Sequence, residues 1–157
     1  MSLEYRKFKN INLNDPFFDS LKQDYPEFNG WFIKKNEAEA FVSFNDQGLV
    51  DGFLYLKVED EPLENMTPSF PKKNRVKCGT FKIDSRGTKL GERFVRKIFD
   101  YALSQNIDEI YVTIFDKHQG LINLLTRYGF RLCSRKNELT ENGNEGVYFK
   151  DFIWRDL

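Results

Sequence analysis

Gly79-Thr80-Phe81-Lys82-Ile83-Asp84-Ser85-Arg86-Gly87-Thr88-Lys89-Leu90-Gly91-Glu92-Arg93-Phe94 is the stretch whose reading decides the fold. A strand over Arg75 to Asp84 runs into a tight glycine-containing turn, and an amphipathic helix follows to about Gln105. Leu90, Phe94, Ile98 and Ala102 recur every four residues with Val95 and Phe99 beside them, while Lys89, Arg93, Arg96, Lys97 and Asp100 take the other face. The first N–H groups of such a helix point outward unpaired and carry partial positive charge, which suits a phosphate. Gly87 and Gly91 let a ligand or a neighbouring strand come close. Arg86, Lys89 and Arg93 add positive charge on that side. The same residues also read as a plain strand–turn–helix corner with a solvated basic face, because short glycine patterns are weak signals.

Working outward, Ile107 to Phe115 is a second strand, so residues 75–115 form a βαβ unit with a right-handed crossover and parallel strands. His118 to Tyr128 is a helix stopped by Gly129. Phe130 to Lys136 and Val147 to Trp154 are strands, with a turn at Glu141-Asn142-Gly143-Asn144 between them. Upstream, Leu3 to Phe8 alternates as a strand, and Asn14-Asp15-Pro16 signals a helix start. Phe17 to Lys35 is aromatic-rich and helical, with a break at Tyr25-Pro26. Ala40 to Phe44 and Leu49 to Val58 are strands joined by a turn at Asn45-Asp46-Gln47-Gly48. Glu59 to Asn74 is polar, holds Pro62, Pro68 and Pro71, and reads as a loop. The fold class is therefore α/β (α+β in some schemes): a mixed sheet flanked by helices, with one parallel βαβ unit. No repeat or linker is evident, and residues 1–157 read as a single domain.

A chain of 157 residues suffices for a sizeable core, and 16 Phe make much of that core aromatic. Lys plus Arg and Asp plus Glu number 24 each, which argues against bulk nucleic-acid binding. The first residues lack the apolar region of a signal peptide, and no apolar run reaches the roughly 18–20 residues of a membrane span. Cys78 and Cys133 lie far apart inside strand-like runs and read as small buried hydrophobes, so neither a disulfide framework nor a thiolate metal site is expected. A reducing, cytoplasmic setting fits. His118 is the single histidine, and with two separated cysteines it cannot make a typical zinc site.

Arg86-Gly87-Thr88-Lys89-Leu90-Gly91 resembles the cofactor motif of the GNAT superfamily of N-acyltransferases: Arg or Gln, two residues, Gly, any residue, then Gly or Ala. The first and last positions match, and the middle glycine is Lys89. Downstream, the strand Asp108 to Phe115 and a helix closing on Arg127-Tyr128-Gly129-Phe130 are similar to the same family. The resemblance is specific over about residues 76–132; the first 70 residues match in element order alone. It implies a GNAT-like mixed, mostly antiparallel sheet flanked by helices, with one central parallel βαβ unit, and acetyl-CoA as cosubstrate; no metal is expected beside it.

By position, the resemblance implies that the backbone of Phe81 and Ile83 bonds the acetyl-pantetheine arm. N–H groups across Arg86, Gly87, Thr88, Lys89, Leu90 and Gly91 take the pyrophosphate. His118 stands where the family has an Asn and faces the arm; it reads equally as a plain helix-start histidine. The Tyr that often protonates the departing thiolate is Leu125 here, which leaves Tyr128, three residues on, as the candidate general acid or as a packing residue. The implied reaction is direct attack of a primary amine on the thioester carbonyl. It needs a neutral amine, an oxyanion donor, expected at a backbone N–H near Phe81, and a proton source. Glu59, Asp60 and Glu61 read as a candidate base acting through water or as a solvated acidic loop. The acceptor is expected to be a small molecule, a peptide or an aminoacyl-tRNA; for the last, Lys72, Lys73, Arg75 and Lys77 read as a phosphate-steering patch, or more simply as a solvated loop end. The competing reading is a catalytically weak or inactive CoA-binding or interaction module. An oligomer is compatible with either.

Overall fold

The structure is a computed structural model that describes residues 2–84 and 88–152. The elements run β1 (Ser2–Lys7), α1 (Asp19–Asp24), α2 (Phe28–Lys34), β2 (Glu39–Phe44), β3 (Val50–Leu63), β4 (Met66–Thr67), β5 (Phe70–Ile83), α3 (Thr88–Ser104), β6 (Glu109–Ile114), α4 (Gln119–Arg127), β7 (Arg131–Lys136) and β8 (Gly146–Asp151). The strands join in the order β1-β2-β3-β5-β6-β8-β7-β4. β5 and β6 are parallel; β1–β2, β2–β3, β6–β8, β7–β8 and β4–β7 are antiparallel. This is the mixed sheet with a parallel βαβ unit that the periodicity predicts. The chain forms two compact units: one up to Tyr55 and from Thr80 through the end of β5, the other from Leu56 to Gly79 and from Thr88 onward.

The first unit is built on rings. Phe8, Phe17, Phe18, Phe28, Phe32 and Phe53 are buried, and Trp31 and Tyr55 close around them. Phe8 meets Phe53 and Tyr55 edge-on at 5.6 and 5.3 Å, a favoured geometry for aromatic pairs. Asp15 caps the turn at Pro16–Phe18 as its sequence context predicts: one carboxylate oxygen accepts from the Phe17 N–H at 2.9 Å. The other accepts from the Val50 N–H at 3.0 Å, tying the helical segment to β3. The expected break at Tyr25-Pro26 is present, with Tyr25 extended at φ −130° and ψ 97°, because proline disfavours helical geometry in the residue before it.

In the second unit Leu90, Phe94, Val95, Ile98 and Ala102 of α3 are buried, as the four-residue spacing predicts. Gly129 ends α4 at φ +95°, a conformation that favours glycine. One expectation fails. Glu59 to Asn74 is not a loop: β3 continues to Leu63, β4 occupies Met66–Thr67, and β5 begins at Phe70. β4 pairs with β7, Met66 opposite Lys136 and Thr67 opposite Arg135. The physical reason is that Leu63 and Met66 find a buried place with Tyr111, Val147 and Phe149. Arg75, 2% exposed, fastens the extension. Its guanidinium pairs with the Glu109 carboxylate and donates to the Glu61 and Pro71 carbonyls at 3.3 and 2.8 Å. At the C-terminal end β8 stops at Asp151, and Trp154, expected in that strand, lies outside the described residues.

Candidate functional site

The parallel ladder between β5 and β6 has three rungs, Val76–Ile110, Lys77–Tyr111 and Cys78–Val112. β5 runs on to Ile83 and β6 to Ile114, and among the described residues no further parallel rung joins them. β6 keeps its other partner throughout, up to Ile114 opposite Gly146 of β8. Backbone polar groups that leave a ladder need other partners, so a strand edge released in this way suits an extended amide-bearing ligand. Gly79, exposed, is the first residue of β5 past the last rung.

Phe81 is buried and Ile83 half-buried, both in the part of β5 that belongs to the first unit. Beside them Lys82 lies over the Phe17 ring at 4.4 Å and 3.6 Å from the Asp84 carboxylate. Arg86 and Gly87 lie outside the described residues, and Thr88 enters as the first residue of α3. In the second unit Lys89 is exposed, Leu90 is buried and Gly91 is buried. A Cβ on Gly91 would stand 3.0 Å from Leu124 Cδ2, so the glycine also lets α4 pack against α3.

His118 is the exposed N-terminal cap of α4, and its carbonyl accepts from the Ile122 N–H at 3.1 Å. Tyr128 is the half-buried C-terminal cap, its N–H bonded to the Leu125 carbonyl at 3.0 Å. At 1.5 Å rise per residue the two caps stand about 15 Å apart along the helix. Leu125 is fully buried and holds the helix to its core.

Of the acidic run, Asp60 and Glu61 are exposed, as the solvated reading has them, and Glu59 is not. Glu59 is 9% exposed, not solvated. Its carboxylate accepts from the Tyr111 phenol and lies 2.9 Å from Lys57 Nζ and 4.0 Å from Lys77 Nζ. Burial pushes its acidity toward the protonated form, but the hydrogen bonds from Tyr111 and Lys57 and the charge of Lys77 outweigh it and lower the pKa. Burial lowers the pKa of Lys77, while the Tyr111 phenol is pushed far up by burial and by the Glu59 carboxylate. The apolar residues Leu63, Met66 and Phe70 downstream are the signal in the sequence that the segment folds back. The expected phosphate-steering patch is not assembled either, since Arg75 is buried, Lys73 lies 3.3 Å from Asp108 and Lys77 faces Glu59. In the first unit a second buried pair, Ser43 donating to the Asp51 carboxylate, was not anticipated.

Cys78 is free and buried, which pushes its thiol far up and makes it inert; Cys133 is free and half-buried. Among the described residues no group of three or more His, Cys, Asp or Glu could hold a metal, and no helix is long and apolar enough to cross a membrane.

No protein-family model matches the chain, and no curated protein matches it in sequence. Solved structures do resemble it. The NatC complex bound to Gag peptide and CoA contains a chain 16% identical, with a TM-score of 0.60 over 98% of this chain and all of that one. Chaetomium thermophilum Naa20 in complex with a bisubstrate analogue is 11% identical, TM-score 0.65, over 96% of this chain and 86% of that one. Campylobacter jejuni N-acetyltransferase PseH in complex with acetyl coenzyme A is 13% identical, TM-score 0.58, over 97% of this chain and all of that one. At these identities the likeness shows the fold: the chain has the GNAT fold.

Proposed function

We propose that this chain is an acetyl-CoA-dependent N-acetyltransferase of the GNAT superfamily, acting on a primary amine by direct attack. The observation that carries the reading is the three-rung parallel ladder, which stops at Cys78 and Val112 while β5 runs on to Ile83 and α3 begins at Thr88. Structural neighbours that hold CoA or acetyl-CoA share this fold. When bound, acetyl-CoA supplies an acyl carbon activated as a thioester.

The proposed roles are those that the resemblance implies by position. The N–H and C=O groups of Phe81 and Ile83 hold the amide-bearing arm as an added strand would, and the Phe81 N–H is the oxyanion donor. The first turn of α3, Thr88, Lys89, Leu90 and Gly91, receives the pyrophosphate with Arg86 and Gly87 before it. Exposed Lys89 suits that role as a cation in place of a glycine. His118 contacts the cofactor from the start of α4, and Tyr128 protonates the leaving thiolate. The acceptor is a small molecule, a peptide or an aminoacyl-tRNA. Internal pairing of Lys73, Arg75 and Lys77 weakens the tRNA option. Bulk nucleic-acid binding is not expected, and a cytoplasmic location belongs to the same proposal.

A second reading, a CoA-binding module with little or no turnover, is favoured by one observation: buried Leu125 leaves no hydroxyl at the family's usual acid position. Thermal shift with CoA, and mass spectrometry of reactions holding acetyl-CoA and a panel of amines, peptides and charged tRNA, separate the two. CoA binding with an acetylated product supports the transferase, binding without product the module, and no binding sinks both.

A further inference from the structure

Lys82 stands on β5 between Phe81 and Ile83, the two residues whose backbone holds the arm in the reading above. Just past them, Asp84 donates its N–H to the Asp51 carbonyl on β3 at 2.9 Å. Backbone groups of successive strand residues point to opposite edges. Lys82 therefore directs its N–H and C=O toward β3, as Asp84 does, and Phe81 and Ile83 direct theirs to the other edge. The Lys82 side chain fixes the same stretch from a second direction. Its ammonium donates to the Phe17 carbonyl, lies 4.4 Å from the centre of the Phe17 ring and stands 3.6 Å from the Asp84 carboxylate. Phe17 is held in turn: its N–H goes to Asp15, whose other oxygen accepts from Val50, the neighbour of Asp51. The contacts thus close into a ring, from Lys82 through Phe17, Asp15, Val50 and Asp51 to Asp84, all within the first unit. The lysine side chain is only 20% exposed, so most of its surface is taken up by these contacts.

We propose that Lys82 is a positioning residue for the cofactor: by clamping the end of β5 to Phe17 it holds the backbone of Phe81 and Ile83 in line for the arm. This rests on the cofactor reading above. Lys82 acts through its two neighbours and touches neither the cofactor nor the reacting atoms. An extended ligand gains full benefit from backbone groups only when they are already aligned, because every residue ordered on binding subtracts conformational entropy from the affinity. A lysine suits the clamp because one ammonium bonds a carbonyl and lies against a ring at the same time.

The test is calorimetric titration of CoA into the full chain, Lys82→Met and Lys82→Arg, with urea unfolding of each. Lys82→Met keeps the length of the side chain and loses its donor and charge. Its CoA dissociation constant should rise about tenfold, as for loss of a hydrogen bond to a charged group. The loss should be equal at low and high salt, since the lysine does not act by attracting the phosphates. Lys82→Arg can donate to the same carbonyl and lie on the same ring, and should return the affinity to within about threefold. Amide exchange followed by NMR on the unmodified chain needs no variant, and decides the matter if Lys82→Met does not fold. CoA should slow exchange at Phe81 and Ile83 and leave Lys82 and Asp84 unchanged. Undiminished CoA affinity in Lys82→Met, a loss that vanishes at high salt, or slowing at Lys82 and Asp84 instead overturns the inference and leaves the cofactor reading standing. Failure of the unmodified chain to bind CoA removes both.

Discussion

Tyr128, Gly91 and Tyr111 each have a role that a single substitution tests. Tyr128 ends α4 half-buried, with Leu125 fully buried one turn earlier. If its hydroxyl protonates the thiolate, Tyr128→Phe keeps CoA affinity and lowers turnover about a hundredfold, the lower range for general acid–base catalysis. Unchanged turnover would make Tyr128 a packing residue with water as the acid. Gly91 carries two demands, room for phosphate and room for Leu124. Gly91→Ala should cost about 1 kcal/mol as Leu124 gives way. Gly91→Asp should also abolish the CoA thermal shift by adding a like charge; a retained shift would move the phosphate elsewhere. Tyr111→Phe removes the phenol that donates to buried Glu59, at a cost of about 1.5–3 kcal/mol near neutral pH in urea titrations. The sign with pH is fixed. The Glu59 pKa is depressed below 4.5, so its contribution is complete above that value and is lost as pH falls through the folded-state pKa. The gap between wild type and variant should therefore narrow in acid. A gap constant to pH 3 would mean that the ionised carboxylate is not what the phenol stabilises.

At the scale of elements, periodicity was legible wherever one face of a helix or strand meets the core. The four-residue spacing in α3 and the Tyr25-Pro26 break are both local features, and both are present. The extension between β3 and β5 was not legible. Its prolines and charges say loop, and the partner that makes it strand, Lys136 on β7, lies some 70 residues further along. Arg75 turns the extension into a fixed element by bonding Glu109 and two carbonyls within the hairpin. Arg75→Ala should cost about 3–5 kcal/mol, because it strands a half-buried carboxylate and releases two carbonyls. The cost should appear as a lower urea midpoint, and hydrogen exchange should quicken first across β4. A loss under 1 kcal/mol would show that Leu63 and Met66 alone hold the hairpin.

At the scale of the whole molecule, 24 positive and 24 negative side chains leave no net field, so binding must come from local geometry. The proposed cosubstrate should stabilise the folded chain by roughly 2.7 kcal/mol at 100 times its dissociation constant. A zero thermal shift at millimolar acetyl-CoA would sink the cofactor reading. By itself, the sequence determined the order of strands and helices outside the Glu59–Asn74 segment and the parallel βαβ unit. It also determined the cap at Asp15 and the stop at Gly129. These depend on residues close in the chain: an apolar repeat, a carboxylate two positions from an N–H, a glycine where φ is positive. Tertiary structure alone decided that the parallel ladder has three rungs, that Glu59 is buried against Tyr111 between two lysines, that Arg75 is a fastener, and that Gly91 faces Leu124. Each of these includes a contact between residues 30 or more apart, where burial sets the cost of a charge and no local pattern records which partner will meet it.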